Sequence, residues 1–179
     1  MNADRYGVVL SSYDFRRFGK IADIGGGRGH LLRAVLDTVP TAKGVLFDLP
    51  DVVAGFDLDR QRLTPVAGDF FRDPLPAADA YLLMEVLHDW DDPSCVAILT
   101  ALRRAAPPDA TVLVIEGVLP EDRLDPRAQT LDIIMLTVTG GRERTPAGLG
   151  ALFEQAGWQL GTVTDTAGPM RIVEARVGS

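Results

Sequence analysis

Between Ile21 and Gly29 the chain reads Ile-Ala-Asp-Ile-Gly-Gly-Gly-Arg-Gly, and few stretches leave the backbone so little choice. A short apolar run carrying one acid passes straight into a glycine cluster. The apolar residues beyond it, Leu31, Leu32, Val35, Leu36 and Val39, recur at helical spacing. The reading is strand, tight turn, helix. A Cβ would obstruct both the sharp turn and the approach of a ligand to the backbone, so the turn is read as a cofactor seat. The plainer alternative is a glycine turn that serves only helix-to-strand packing.

The spacing narrows the cofactor. A dinucleotide fingerprint places a third glycine five residues after the first, but counting from Gly25 that position is His30, and from Gly27 it is Leu32. A phosphate-binding loop ending in Gly-Lys-Ser or Gly-Lys-Thr does not occur. Asp23, Gly25 and Gly27 instead make Asp-x-Gly-x-Gly, the pattern that S-adenosylmethionine-dependent methyltransferases carry after their first strand.

Other classes are excluded by composition. The chain has 179 residues, 46% of them hydrophobic, enough for one sizeable core and too few for two ordinary domains. A net charge of −7, with no run of Lys or Arg, argues against a nucleic-acid partner, whose affinity is largely a cation-to-phosphate term. The single cysteine, Cys95, cannot close an internal disulfide and reads as a small core residue. No signal peptide opens the chain and no apolar run nears membrane-spanning length, so a soluble protein of the reducing cytoplasm is expected.

Taken in order, the spacing of Val9, Tyr13, Phe15 and Phe18 predicts a helix from Asp4 to Phe18. Strands are predicted at Gly44 to Asp48, Leu63 to Ala67, Ala80 to Met84 and Thr111 to Glu116. Asp92 reads as an N-cap before Pro93, opening a helix whose apolar face is Val96, Leu99, Leu102 and Ala106. Helices are predicted at Pro126 to Thr137 and Pro146 to Gln155, and two closing strands, Trp158 to Val163 and Arg171 to Val177, flank a Gly168-Pro169 turn. Strands alternating with helices predict an α/β fold: a mostly parallel sheet with helices on both faces and one antiparallel strand near the C-terminus.

In such a sheet ligands sit beyond the carboxyl ends of the strands. Asp23 lies within the first strand, while Asp48, Asp69, Glu85 and Glu116 stand at or just past the ends of the next four. Exposed strand ends favour acids, which accounts for any one of them; five in succession on one rim suggest a site. Asp48 suits a ribose diol, a role that would serve a nicotinamide dinucleotide as well as adenosylmethionine. Asp69 beside Phe70 suits an adenine amino group against an aromatic wall. His88, in Leu87-His88-Asp89-Trp90-Asp91-Asp92, sits on the loop after the fourth strand, where an imidazole can take a proton from a hydroxyl; a loop histidine bonded to neighbouring acids is the alternative. His30 opens the first helix after the glycines and reads as a backbone-facing or surface residue. The acids fall one per strand and the histidines do not pair, so no metal is implied.

Five blocks carry a resemblance: Ile21 to Gly29, Phe47-Asp48-Leu49-Pro50, Gly68-Asp69-Phe70-Phe71, Leu87-His88-Asp89-Trp90 and Gly140-Gly141-Arg142-Glu143-Arg144-Thr145. In their order and spacing the chain resembles the plant-type O-methyltransferases, whose bacterial members act in aromatic and polyketide natural-product pathways. The resemblance implies a Rossmann-like class I methyltransferase fold, with residues 1–19 as a leading helix and linker and 20–179 as the S-adenosylmethionine-binding catalytic domain. It implies a cofactor seat of Asp23, Gly25, Gly27, Asp48, Leu49, Gly68, Asp69, Phe70 and Met84, the last standing where many members have a lysine. His88 matches the general base, Glu116 and Glu143 the two acids flanking it; for Glu143 a surface salt bridge with its neighbours Arg142 or Arg144 is the alternative. Asp89 and Met135 match positions lining the acceptor pocket, with Trp90 beside them.

The implied reaction moves a methyl group from S-adenosylmethionine to a hydroxyl of a small aromatic, leaving S-adenosylhomocysteine. Members usually carry a helical N-terminal region that forms a homodimer and one wall of the acceptor pocket. This chain starts just before the catalytic domain, so a fragment or truncated copy is expected, binding cofactor but transferring methyl weakly. A family variant catalysing hydroxylation or decarboxylation, a non-catalytic adenosylmethionine-binding module and a nicotinamide-dependent oxidoreductase are the alternatives, the last disfavoured by the glycine spacing.

Overall fold

Strand residues that are apolar on both faces, such as Tyr81, Leu82 and Leu83, find no water-facing side and must lie inside a covered sheet. The computed structural model, which describes residues 3–54, 62–120 and 143–178, builds that sheet from seven strands. They are β1 (Lys20–Ile24), β2 (Lys43–Asp48), β3 (Leu63–Ala67), β4 (Ala80–Met84), β5 (Thr111–Gly117), β6 (Trp158–Asp165) and β7 (Met170–Val177). Their spatial order is β3-β2-β1-β4-β5-β7-β6. The pairs from β3 through β5 are parallel, and β7 runs against both of its neighbours.

The chain steps outward from β1 to β2 and β3, then returns to place β4 on the other side of β1. That reversal leaves a crevice beyond the carboxyl ends of β1 and β4, where the flanking connections diverge. Alternation along each strand divides the interior in two. Ile21, Leu46, Leu82, Leu113 and Ile115 face α1 (Ala3–Ser12) and α2 (His30–Thr38). Ala22, Phe47, Tyr81, Leu83, Val112 and Val114 face α4 (Asp92–Ala105) and α5 (Pro146–Gln155). A short α3 (Pro50–Val53) follows β2, started by Pro50 in its first turn.

The element bounds follow the sequence closely in the sheet and less so at two helix ends. The helix expected from Asp4 to Phe18 stops at Ser12 and is followed by a separate 3-10 turn, Phe15–Arg17. Both Ser11 and Ser12 hydroxyls donate to the Val8 carbonyl, at 3.1 and 2.7 Å, drawing off an acceptor of the helical ladder. Asp14 then caps the new turn by accepting from the Arg16 N–H. The N-cap of α4 is Asp91, not Asp92: its Oδ1 accepts from the Ser94 N–H at 2.9 Å. Asp92 pairs instead with Arg144, whose Nη2 lies 2.8 Å from its Oδ1. The helix expected over 126–137, with Met135, lies outside the described residues.

The segment before β1 is fastened to the last strand. Glu174 on β7, its side chain 4% exposed, accepts from the Tyr13 hydroxyl at 2.6 Å and from Arg17 at 2.9 Å on Oε2, and from Arg176 at 2.7 Å on Oε1. No described helix is long and apolar enough to cross a membrane.

Candidate functional site

The crevice is shaped first by the glycine turn. Gly25 has φ 67°, in the left-handed region, and a Cβ there would lie 3.2 Å from Val86 Cγ2. At Gly26 a Cβ would meet Asp23 Cγ at 2.4 Å and Leu46 Cδ1 at 2.6 Å, so the turn closes down on β1 only because nothing projects from it. Asp48, at the end of β2, ties the turn in place: Oδ2 accepts from the Gly27 N–H and Oδ1 from the Leu49 N–H, both at 2.7 Å. An ionised carboxylate has about four acceptor positions, so each oxygen keeps room for one more donor.

Beyond β3, Asp69 Oδ1 accepts from the Phe71 N–H at 2.9 Å and its own N–H donates to Asp73, which curls the loop so that Phe70 and Phe71 face the crevice. Trp90 meets both edge-on, with ring centroids at 5.9 and 4.8 Å. The result is a cavity of about 360 Å³ with acids on one side and an aromatic wall on the other. It is lined by Gly25, Asp48, Leu49, Gly68, Asp69, Phe70, Phe71, Glu85, Val86, Asp89 and Trp90. A smaller hollow of about 90 Å³ shares Gly25 and Glu85 with it and reaches Asp23, Gly26, His30, Met84, Arg5 and Tyr6.

Of the residues singled out in the sequence, Gly25, Asp48, Leu49, Gly68, Asp69, Phe70, Asp89 and Trp90 therefore converge on one cavity. Asp23 and Met84 line the adjoining hollow, and Gly27 joins through its bond to Asp48. Met135 lies outside the described residues. His88, Glu116 and Glu143 form a group just behind the rim rather than lining the main cavity. His88 belongs to the 3-10 turn Leu87–Asp89, between the lining residues Val86 and Asp89, and its Nε2 lies 3.5 Å from Asp89 Oδ1. Its backbone N–H donates to Glu116 Oε2 at 3.3 Å. Glu143 lies over β5, where a Cβ on Gly117 would meet its Oε1 at 2.7 Å.

Two acids are held far from their usual behaviour. Burial pushes Asp23 up to about 7, the Asp48 charge adds to it, and a Leu32 N–H opposes it. Burial likewise pushes Glu116 up to about 7; the His88 N–H and the Arg144 guanidinium oppose this, and Asp89 and Glu143 add to it. Asp23 Oδ1 and Glu116 Oε1 are buried without a hydrogen-bond partner among the described residues. The Asp23 oxygen, on the wall of the smaller hollow, is one that a cationic or hydrogen-bonding ligand would relieve.

Among the residues that the structure brings to this region, sequence reasoning gave no role to Phe71, Val86, Arg5, Tyr6 or Arg144. Phe71 and Val86 sit one residue from positions that were assigned, and Arg5 pairs with Glu85 across the hollow. Arg144, buried at 4% exposure, reaches the His88 turn from a segment distant in sequence. Only its place in the Gly-Gly-Arg-Glu-Arg-Thr block hinted at it. Among the described residues no three His, Cys, Asp or Glu side chains gather as a metal site.

Residues 5–159 match the family model of the O-methyltransferase domain. The phenazine O-methyltransferase PhzM of Lysobacter antibioticus is 41% identical over 175 residues, covering 94% of this chain and 51% of that protein. Human N-acetylserotonin methyltransferase, solved in complex with SAM, superposes with a TM-score of 0.89 at 35% identity, over 98% of this chain and 52% of that one. NcsB1, an O-methyltransferase from neocarzinostatin biosynthesis solved with SAM and 2-hydroxy-5-methyl naphthoic acid, superposes with a TM-score of 0.83 at 38% identity, over 96% of this chain and 53% of that one. The chain spans about half the length of the curated relatives it matches.

Proposed function

Because this chain belongs to the O-methyltransferase domain family, we propose that it binds S-adenosylmethionine in the rim cavity and serves methyl transfer to a hydroxyl of a small aromatic or polyketide-type molecule. The observation that carries the reading is the convergence of Asp48, Asp69 and the aromatic wall beside a glycine turn that a Cβ would fill. The residues fit the cofactor on chemical grounds. Asp48 has two acceptor positions left for a ribose diol, and Phe70 offers a face for adenine with Asp69 at its edge. The unpartnered Asp23 oxygen, in the adjoining hollow, suits a cationic or hydrogen-donating group. When bound, S-adenosylmethionine supplies an activated methyl group on a good leaving group.

The chain's own residues then have three tasks. Asp48, Asp69 and the glycine turn bind and orient. Phe70, Phe71 and Trp90 exclude water from one side, which strengthens the polar contacts inside. His88 accepts the proton that the attacking hydroxyl gives up, while Glu116 accepts from the backbone N–H of its turn and Glu143 lies beside it over β5. Asp89, Trp90 and Met135 are assigned to the acceptor side. The named ligands of the relatives, phenazine and naphthoic acid systems, support a planar hydroxylated ring as the acceptor class. The plant-type branch of the family, a cytoplasmic setting and a homodimer for a longer form belong to the same proposal.

Titration calorimetry with S-adenosylmethionine and with NAD, followed by labelled-methyl transfer to a panel of phenols and naphthols, tests it. Heat with the first ligand alone and label in an ether product are expected. Binding of NAD instead would overturn the cofactor assignment.

A further inference from the structure

The guanidinium of Arg144 lies at the centre of the hydrogen bonding around His88. It donates from Nη1 to the Leu87 carbonyl at 3.0 Å and from Nη2 to the Trp90 carbonyl at 2.8 Å. Those two carbonyls flank the turn that carries His88 and Asp89. Nε and Nη2 also donate to Asp92 Oδ1 at 3.0 and 2.8 Å, while the neighbouring Asp91 caps α4. The backbone of Arg144 is fixed independently: the Leu119 N–H donates to its carbonyl at 3.0 Å, and Val118 and Arg144 form a parallel bridge that extends β5. Its neighbour Glu143 lies over Gly117 on that same strand.

A guanidinium at 4% exposure is costly to bury, and here it is satisfied by one carboxylate and two carbonyls arranged around a single turn. Only a planar fork reaches all of them, since an ammonium is a point donor that cannot span two carbonyls and an acid from one stem position. Cys95 Sγ also approaches the Leu87 and Trp90 carbonyls, at 3.3 and 3.6 Å, but a thiol is too weak a donor to hold them.

We propose that Arg144 is the positioning residue of this site, fixing the turn that presents His88 and joining it to the strand segment that bears Glu143. The proposal rests on the methyl-transfer reading for its consequence, though not for its geometry. One side chain then sets the relation between the imidazole on one loop and the acids on another. Its loss displaces His88 together with Asp89 and Trp90 at one edge of the cavity, while Asp48, Asp69 and the glycine turn keep their places.

The test uses the 179-residue chain with Arg144→Lys and Asp92→Asn, each alone and with His88→Ala. Arg144→Lys is expected to lower kcat about tenfold or more, as small misplacements of a reacting group do, with the calorimetric Kd for S-adenosylmethionine within about twofold of the parent. In the His88→Ala background the same change is expected to add less than about twofold, because two residues acting through one group are not additive. With two histidines in the chain, a spectrum of 13C-labelled imidazoles is simple to assign, and the His88 resonances are expected to shift or split while those of His30 stay.

Asp92→Asn keeps the guanidinium and its carbonyl contacts, so it is expected to fold and to show the same displacement on a smaller scale should Arg144→Lys fail to fold. Equal losses of kcat in both backgrounds, or unmoved His88 resonances in whichever variant folds, would overturn the proposal. A parent chain that transfers no methyl group would count against the methyl-transfer reading instead, and the histidine spectra would still decide the role of Arg144.

Discussion

Asp48 both builds the glycine turn and faces whatever the turn receives, so its removal strikes the seat twice. Asp48→Ala is expected to weaken S-adenosylmethionine binding by roughly tenfold or more, since charge-assisted hydrogen bonds contribute on the order of 1.5–3 kcal/mol. His88→Ala should do the opposite, lowering kcat about a hundredfold while calorimetry shows nearly unchanged cofactor binding. The raised acids make a third prediction. Asp23 moves from 3.8 to about 7 and Glu116 from 4.5 to about 7, so between those limits the folded protein holds protons that the unfolded chain has released. Stability therefore falls as pH rises through that window, and Asp23→Asn or Glu116→Gln should flatten the slope in denaturant titrations at pH 4.5 and 7.5. The carboxylates of the rim were legible in the sequence because strand ends are easy to place. Arg144 was not, because its partners are main-chain carbonyls on a distant loop, and no residue type advertises a carbonyl.

At the scale of elements the strands were the most legible. Leu63–Ala67 and Ala80–Met84 fall where their short apolar runs predict; the second is covered on both faces and has no freedom to slip by one residue, and the first, a half-exposed edge strand, is held by its parallel pairing with β2. Helix ends were less so. The break after Ser12 depends on two hydroxyls turning back to one carbonyl, and the cap of α4 depends on which of two adjacent aspartates reaches Ser94. Spacing alone cannot distinguish such local competitions. The β1-to-α2 turn carries the prediction at this scale. Gly26→Ala drives a methyl into Asp23 and Leu46, and should cost about 1–3 kcal/mol in chemical denaturation as well as displacing the Asp48 bond on which the seat depends.

Across the whole molecule, the candidate site gathers at one end of the sheet because the order of strands reverses between β1 and β4. Leu49 and Phe71, at the mouth of the cavity, remain 53% and 42% exposed, apolar surface suited to an acceptor ring or to further polypeptide. Cofactor affinity in this chain is accordingly expected to be closer to that of the longer relatives than its turnover is, a comparison that calorimetry and labelled-methyl assays make directly. The opposite end of the sheet has its own lesson in the grip of Tyr13 and Arg17 on Glu174. That clasp buckles the stretch ahead of β1 onto β7, so removing Tyr13 and Arg17 would strand an interior carboxylate with Arg176 alone and loosen the outer hairpin.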